Sequence, residues 1–165
     1  MQTKKEKEFL EAYEKYADDI YRHCYFRVYN KELAEDITQE TFIKTWKYIS
    51  QGKEIKSIRP FLYRVAVNLI IDNSRKKKEL SLDERLISIG QEQQETIFTH
   101  FEAGEIIKLL EELSDNQKQV MVMRYVDELM PSEIADILEE SSNAVSVRIN
   151  QATNKLRQII KEKHV

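Results

Sequence analysis

The side chains best suited to a definite chemistry lie in the stretch SVRINQATNKLR, residues 146–157. Counted at about 100° per residue, Val145, Ile149, Ala152, Leu156, Ile159 and Ile160 fall on one apolar stripe. The opposite side then presents Ser146, Val147, Asn150, Gln151, Asn154 and Arg157. Asn and Gln amides pair bidentately with the major-groove edge of adenine, and an exposed Val can touch a thymine methyl. Arg148 and Lys155 flank the stripe, within reach of phosphates. A helical hairpin with a solvated face would show the same spacing, so its surroundings must decide.

Two more polar faces accompany it. In PFLYRVAVNLIIDNSRKKK (60–78), Leu62, Val65, Ala66 and Leu69 form the side expected to be buried. Tyr63, Arg64, Val67, Asn68, Ile71 and Arg75 gather opposite, and the segment ends in Arg75, Lys76, Lys77 and Lys78. Arginines, an amide and an aromatic on one face suit phosphate contacts with stacking on exposed bases. Cations at a helix C-terminus also offset the macrodipole, which explains the Lys run without a ligand. In DITQETFIKTW (36–46), Asp36, Gln39, Glu40 and Lys44 oppose Phe42, Ile43 and Trp46. That polar side faces either water or a partner. Trp46 is expected in the core, because it shares a stripe with Phe42, Ile43 and Ile49.

Residues for covalent or metal chemistry do not converge. His23, His100 and His164 are scattered, Cys24 has no evident base beside it, and no phosphate loop or metal-ligand spacing occurs. Cys24 reads as a small core residue, and a single cysteine makes no internal disulfide. The sequence therefore points to binding, not to an enzyme, and to no cofactor or metal.

The elements that would position these faces are helical. The 165 residues are 41% hydrophobic and 33% charged, with only three Gly and two Pro, which favours long helices over turn-rich sheet. No apolar run approaches the roughly 20 residues of a membrane span, and MQTKKEKEF lacks a secretory apolar segment. A cytoplasmic protein without membrane insertion is expected. Helical periodicity runs through Phe9, Tyr13, Tyr16 and Ile20, and again from Leu33 to Ile49. Gly52 and Pro60 bracket a loop, and a third helix follows from about Pro60 to Lys77. Residues 79–101 read as a polar linker. Periodicity returns from Phe101 through Ile106, Leu109, Leu110, Leu113, Val120, Met123, Ile134, Ile137 and Leu138. PSEIADIL then ESSN then the helix of the opening paragraph gives a short helix, a tight turn and a longer helix, with Ser142 or Asn143 placed to cap. This is a helix-turn-helix, whose second helix enters the major groove. The expectation is an all-α chain of two small helical domains, 1–78 and 102–165, joined by a linker.

Charge is patterned along the chain. Net charge is −3, yet residues 53–78 carry eight Lys/Arg against two Asp/Glu, and residues 79–128 carry four against twelve. One surface suits phosphates and another avoids them. Solvated charged faces would give the same pattern. The acidic stretch is also placed to fold over the basic one and mask it.

The three blocks DITQETFIKTWKYI, RPFLYRVAVNLIIDNSRKKK and LEELSDNQKQVMVMRYVDELMPSEIADILEESSNAVSVRINQATNKLR resemble bacterial sigma factors of the extracytoplasmic-function (ECF) group, within the sigma-70 family. The resemblance covers about 20–78 and 105–160. It implies that Asp36, Gln39, Glu40 and Phe42 bind core RNA polymerase at the clamp coiled coil of its largest subunit. It implies a further contact with the flap of the second subunit. Loop 50–58 and the 60–78 helix would melt and read the −10 element, with Lys44, Arg64 and Asn68 around a flipped base, joined by Tyr63, Arg75, Lys76 and Lys77. Ser146, Val147, Arg148, Asn150, Gln151, Asn154, Lys155 and Arg157 would read the −35 element as duplex. An inhibitory anti-sigma partner is also implied.

Several positions depart from the family pattern. Ser146, Asn150, Gln151, Thr153 and Asn154 stand where Arg and Lys are frequent, Glu139 and Glu140 where a small residue is common, and Met130 where Ser or Thr caps a helix. Weaker −35 binding by the free protein is expected, since each lost phosphate contact flattens the salt dependence by roughly one unit. A polymerase-independent helix-turn-helix regulator is the alternative reading; it explains 129–160 but leaves DITQETF and the 60–78 helix without a role.

Overall fold

The computed structural model of the chain describes residues 1–79 and 100–163, with side chains described over 1–76 and 104–163. The expected linker falls almost wholly outside these residues, as do His164 and the side chains of Lys77, His100 and Phe101. Every regular element described is helical, and the chain divides into two compact units, Met1–Gln93 and Gln94–Val165.

The first unit is a three-helix bundle of α1 (Lys4–Val28), α2 (Lys31–Ser50) and α3 (Ile58–Glu79), each packed on the other two. Thr3 and Glu6 close a reciprocal capping box at the start of α1, and Asn30 Oδ1 accepts from Leu33 N–H at 2.9 Å to start α2. Gly52, at φ +83°, turns the chain out of α2. Pro60 sits in the first turn of α3, where a missing N–H costs nothing. Ile20, Cys24, Phe26, Ala34, Ile37, Phe42, Leu62, Ala66 and Ile70 fill the core. Helix α2 also buries Thr38, Thr41 and Thr45, whose hydroxyls donate to the carbonyls of Ala34, Ile37 and Thr41 at 2.7, 2.8 and 2.8 Å. Their polarity is thereby satisfied within the helix, and they pack as small apolar groups.

The second unit runs α4 (His100–Glu111), α5 (Asp115–Met121), a π-helical turn over Val122–Val126, α6 (Pro131–Leu138) and α7 (Ser142–Lys163). Ser114 and Gln117 form a capping box for α5. Lys118, buried behind it, is paired with Glu111 at 2.7 Å. Ile107, Leu110, Val120, Val122, Met123, Leu129, Ile134, Ile137, Val145, Ile149 and Ala152 make the core.

Local readings needed correction where neighbours decide. Ile107 points inward and Ile106 outward, one residue off the sequence expectation. Ile160, expected on the apolar stripe of α7, is exposed because the packing stops short of the helix end. The cap of α7 is Ser141, whose Oγ accepts from Ala144 N–H at 3.1 Å; Ser142 and Asn143 are already helical. Met130 offers no side-chain cap to α6, as expected, although Glu133 accepts the Met130 N–H at 3.0 Å. Glu139 takes a left-handed conformation, φ 57°, the geometry that makes a small residue common there.

Candidate docking and nucleic-acid interfaces

Helix α2 sorts its residues by the threonine-rich face it buries. Asp36 and Gln39 are exposed and Glu40 half-buried, while Phe42 is only 3% exposed. Phe42 sits edge-on to Tyr13, ring centroids 4.9 Å apart, and to Phe9 at 6.2 Å. Of the four residues assigned to polymerase contact from the sequence, three are therefore available at a surface and Phe42 supports them from beneath. Trp46 is half-buried against Phe9 at 5.1 Å, in keeping with a packing role. Ile43 breaks the expected stripe: it is 48% exposed, one turn from Gln39 on the outer face. Sequence reasoning put it in the core by its type. The signal that could have moved it is angular, since Asp36, Glu40, Ile43 and Lys47 lie within about 60° of one another at 100° per residue.

Between α2 and α3 runs a groove of about 490 Å³ lined by Leu33, Asp36, Ile37, Glu40, Lys44, Leu69, Asp72, Asn73 and Lys76. It brings Lys44 and Lys76 together with three carboxylates, so its charge is mixed. Arg64 and Asn68, expected beside Lys44, are not in its lining.

Helix α3 presents Asn68, Ile71, Asp72, Arg75 and Lys76 to solvent, with Arg64 half-buried. Tyr63 is a correction: expected on the reading face, it is 1% exposed and sits edge-on to buried His23 at 5.5 Å, with the Arg59 guanidinium 5.8 Å from its ring centre. Val67 on the same side is buried as well. The α1 helix covers that flank, which a single-helix projection does not show. Aromatic character at the surface comes instead from the loop end, where Lys53 Nζ lies 5.0 Å above the Tyr48 ring and Tyr48 packs on Phe61 at 4.8 Å. A larger cavity of about 680 Å³ lies between the N-terminal half of α1 and loop 53–58; five lysines (Lys4, Lys5, Lys15, Lys53 and Lys56) and three glutamates (Glu8, Glu11 and Glu54) line it with Phe9, Tyr16, Ile49 and Ile55.

In the second unit α6, a three-residue turn and α7 form the expected helix-turn-helix. Val147, Asn150, Gln151, Asn154, Lys155 and Arg157 are exposed and Ser146 is half-buried. Val147 reaches 46% exposure, which an apolar residue shows where no neighbour covers it. Arg148 is engaged, its Nη2 lying 2.7 Å from Glu140 Oε2. The Tyr21 hydroxyl is pushed above 10.0 by burial first and by the Glu35 carboxylate second. No cluster of His, Cys, Asp or Glu able to hold a metal occurs among the described residues, and no described helix is long and apolar enough to cross a membrane.

A three-helix unit with uncovered polar residues on α2 and a basic α3, followed by a helix-turn-helix unit, has the layout of a modular binding protein suited to duplex DNA. Residues 12–79 match Sigma-70 region 2 and residues 103–156 match Sigma-70, region 4. The ECF RNA polymerase sigma factor SigW of Bacillus subtilis is 30% identical, over 93% of this chain and 89% of its own. SigM of the same organism is 33% identical, over 86% and 90%. Among solved structures, the sigma factor RpoE of Bartonella quintana, in complex with the anti-sigma factor NepR, superposes with a TM-score of 0.76 over 94% of this chain and 98% of that one, at 19% identity. The chain belongs to the ECF sigma factors of the sigma-70 family. It is a transcription initiation factor that acts with RNA polymerase at promoters.

Proposed function

We propose that the three surfaces divide the work of promoter-specific initiation. Asp36, Gln39 and Glu40 dock on the clamp coiled coil of core RNA polymerase, around an exposed Ile43 that gives the contact an apolar centre. Asn68, Arg75, Lys76 and Lys44, with loop 51–57, engage the −10 element as it melts. Residues Ser146, Val147, Asn150, Gln151, Asn154, Lys155 and Arg157 of α7 read the −35 element as duplex. Domain limits of 1–78 and 102–165 go with this division. The observation that carries the reading is α2: a helix that satisfies three buried threonine hydroxyls internally, yet leaves a carboxylate, an amide and an isoleucine uncovered on one outer face.

The protein works by binding, without catalysis or cofactor, in the cytoplasm where polymerase acts. An anti-sigma factor covering the polymerase-binding faces is the expected regulator. Solved relatives of this fold include RpoE with NepR and CnrH with the cytosolic domain of CnrY. A polymerase-independent regulator is the lesser reading, since it gives residues 12–79 no task.

The test is in vitro transcription with core polymerase and a genomic promoter library, with and without the protein. New transcripts sharing −35 and −10 motifs support the reading, and a triple Asp36→Ala, Gln39→Ala, Glu40→Ala variant should abolish them. Duplex binding without core binding or transcripts would favour the lesser reading.

A further inference from the structure

The helix-turn-helix holds an ion pair that neither periodicity nor capping rules foretell. Glu140 lies in the turn and Arg148 in the second turn of α7, eight positions on, with Arg148 Nη2 and Glu140 Oε2 2.7 Å apart. Their side chains are 22% and 35% exposed, so the pair is shielded in part from solvent. Arg148 is also the only Lys or Arg in the first three turns of α7. Lys155 and Arg157 follow about 20 and 22 Å along the helix from Ser142 at 1.5 Å per residue. A recognition helix inserts its N-terminal part into a major groove about 12 Å wide. Of the cations on α7, the one nearest its N-terminus is thus the one already engaged.

We propose that Glu140 sets the duplex affinity of the second unit by withholding Arg148 from phosphate. To reach a phosphate, Arg148 must leave Glu140, and the uncovered carboxylate then repels the DNA. Both effects oppose binding. The inference rests on the reading of α7 as the duplex-contacting helix. It makes Glu140 a residue that acts through another, and the free protein a weak duplex binder by construction, not only by the loss of basic positions.

Phosphate contacts are blind to sequence, so the test needs no known promoter. The full chain is titrated against a mixed-sequence duplex over a range of salt, as wild type, Glu140→Ala, Arg148→Ala and the double variant. Glu140→Ala should bind more tightly, with a slope of log affinity against log salt steeper by about one. Arg148→Ala alone should keep the wild-type slope. The double variant should lose the added slope, retaining only what removal of the Glu140 charge contributes. A clip that merely holds the fold predicts weaker binding by Glu140→Ala at unchanged slope. Thermal melting accompanies each variant, and Glu140→Gln, which keeps the side-chain length, decides if Glu140→Ala is destabilised. The inference is overturned if Arg148→Ala flattens the wild-type slope, if neither Glu140 variant binds more tightly than wild type, or if the double variant stays as steep as Glu140→Ala. Failure of wild type in transcription would remove the polymerase reading and leave this duplex readout standing on its own.

Discussion

Asp36, Gln39, Glu40 and Phe42 stand together in one heptapeptide, and the structure separates them into a surface and its support. Replacing Phe42 by Ala removes a ring that is 3% exposed and leaves Tyr13 and Phe9 facing a void. A Phe→Ala change in a core costs about 3–5 kcal/mol, the sum of lost transfer energy and an unfilled cavity. For a unit of this size that lowers the melting midpoint by on the order of 20 °C. Truncating exposed Asp36 and Gln39, and half-buried Glu40, should each change stability by no more than about 0.5 kcal/mol. Trp46 is the only tryptophan in the chain and touches Phe9 in the same cluster, so its fluorescence reports on the first unit alone. Thermal melting followed at Trp46, paired with core-polymerase binding at low temperature, separates the cases. Phe42→Ala should melt early yet bind while folded; the triple alanine should melt as wild type and fail to bind. A Phe42→Ala protein that melts normally but no longer binds would refute the packing argument and return Phe42 to the contact surface.

Ser141→Ala should destabilise the second unit by about 1 kcal/mol through loss of the cap on Ala144 N–H, whereas Ser142→Ala and Asn143→Ala should be near neutral; denaturant unfolding followed by circular dichroism distinguishes them. Tyr21 holds its proton more tightly folded than unfolded, so its contribution is intact below pH 10.0 and is lost as pH rises from there through its raised folded value. Tyr21→Phe should therefore lose less stability than wild type in a urea series taken upward from pH 10.0. Arg75→Ala, at an exposed position on α3, should leave the Trp46-monitored melt unchanged and flatten the salt dependence of promoter binding by about one unit.

Much of the architecture was legible because helices are local. Hydrogen bonds four residues apart and an apolar period near 3.6 placed all three helices of the first unit, and Pro131 marked the first residue of α6. The helix-turn-helix followed from the same signals, and its outward amides stand where the period put them. Gly52 and Pro60 bounded the one long described loop. Faces were less legible, because a helical projection knows nothing of what crosses it. Asp36 and Gln39 were read correctly as uncovered by their polarity, but Ile43 was sent inward by its type and Tyr63 outward by its angle, and both were wrong.

The amino-acid order by itself thus determined which stretches are helical, which segments are basic, and that the chain carries the two sigma regions. Which members of each motif meet a partner was decided only in three dimensions. Burial of Tyr63 requires α1 against α3, the uncovered Ile43 requires α2 to turn its threonines inward, and the Glu140–Arg148 pair requires α6 and α7 to cross at their turn. Backbone hydrogen bonding reaches a few residues along the chain, whereas packing and charge pairing act between surfaces that only folding brings together.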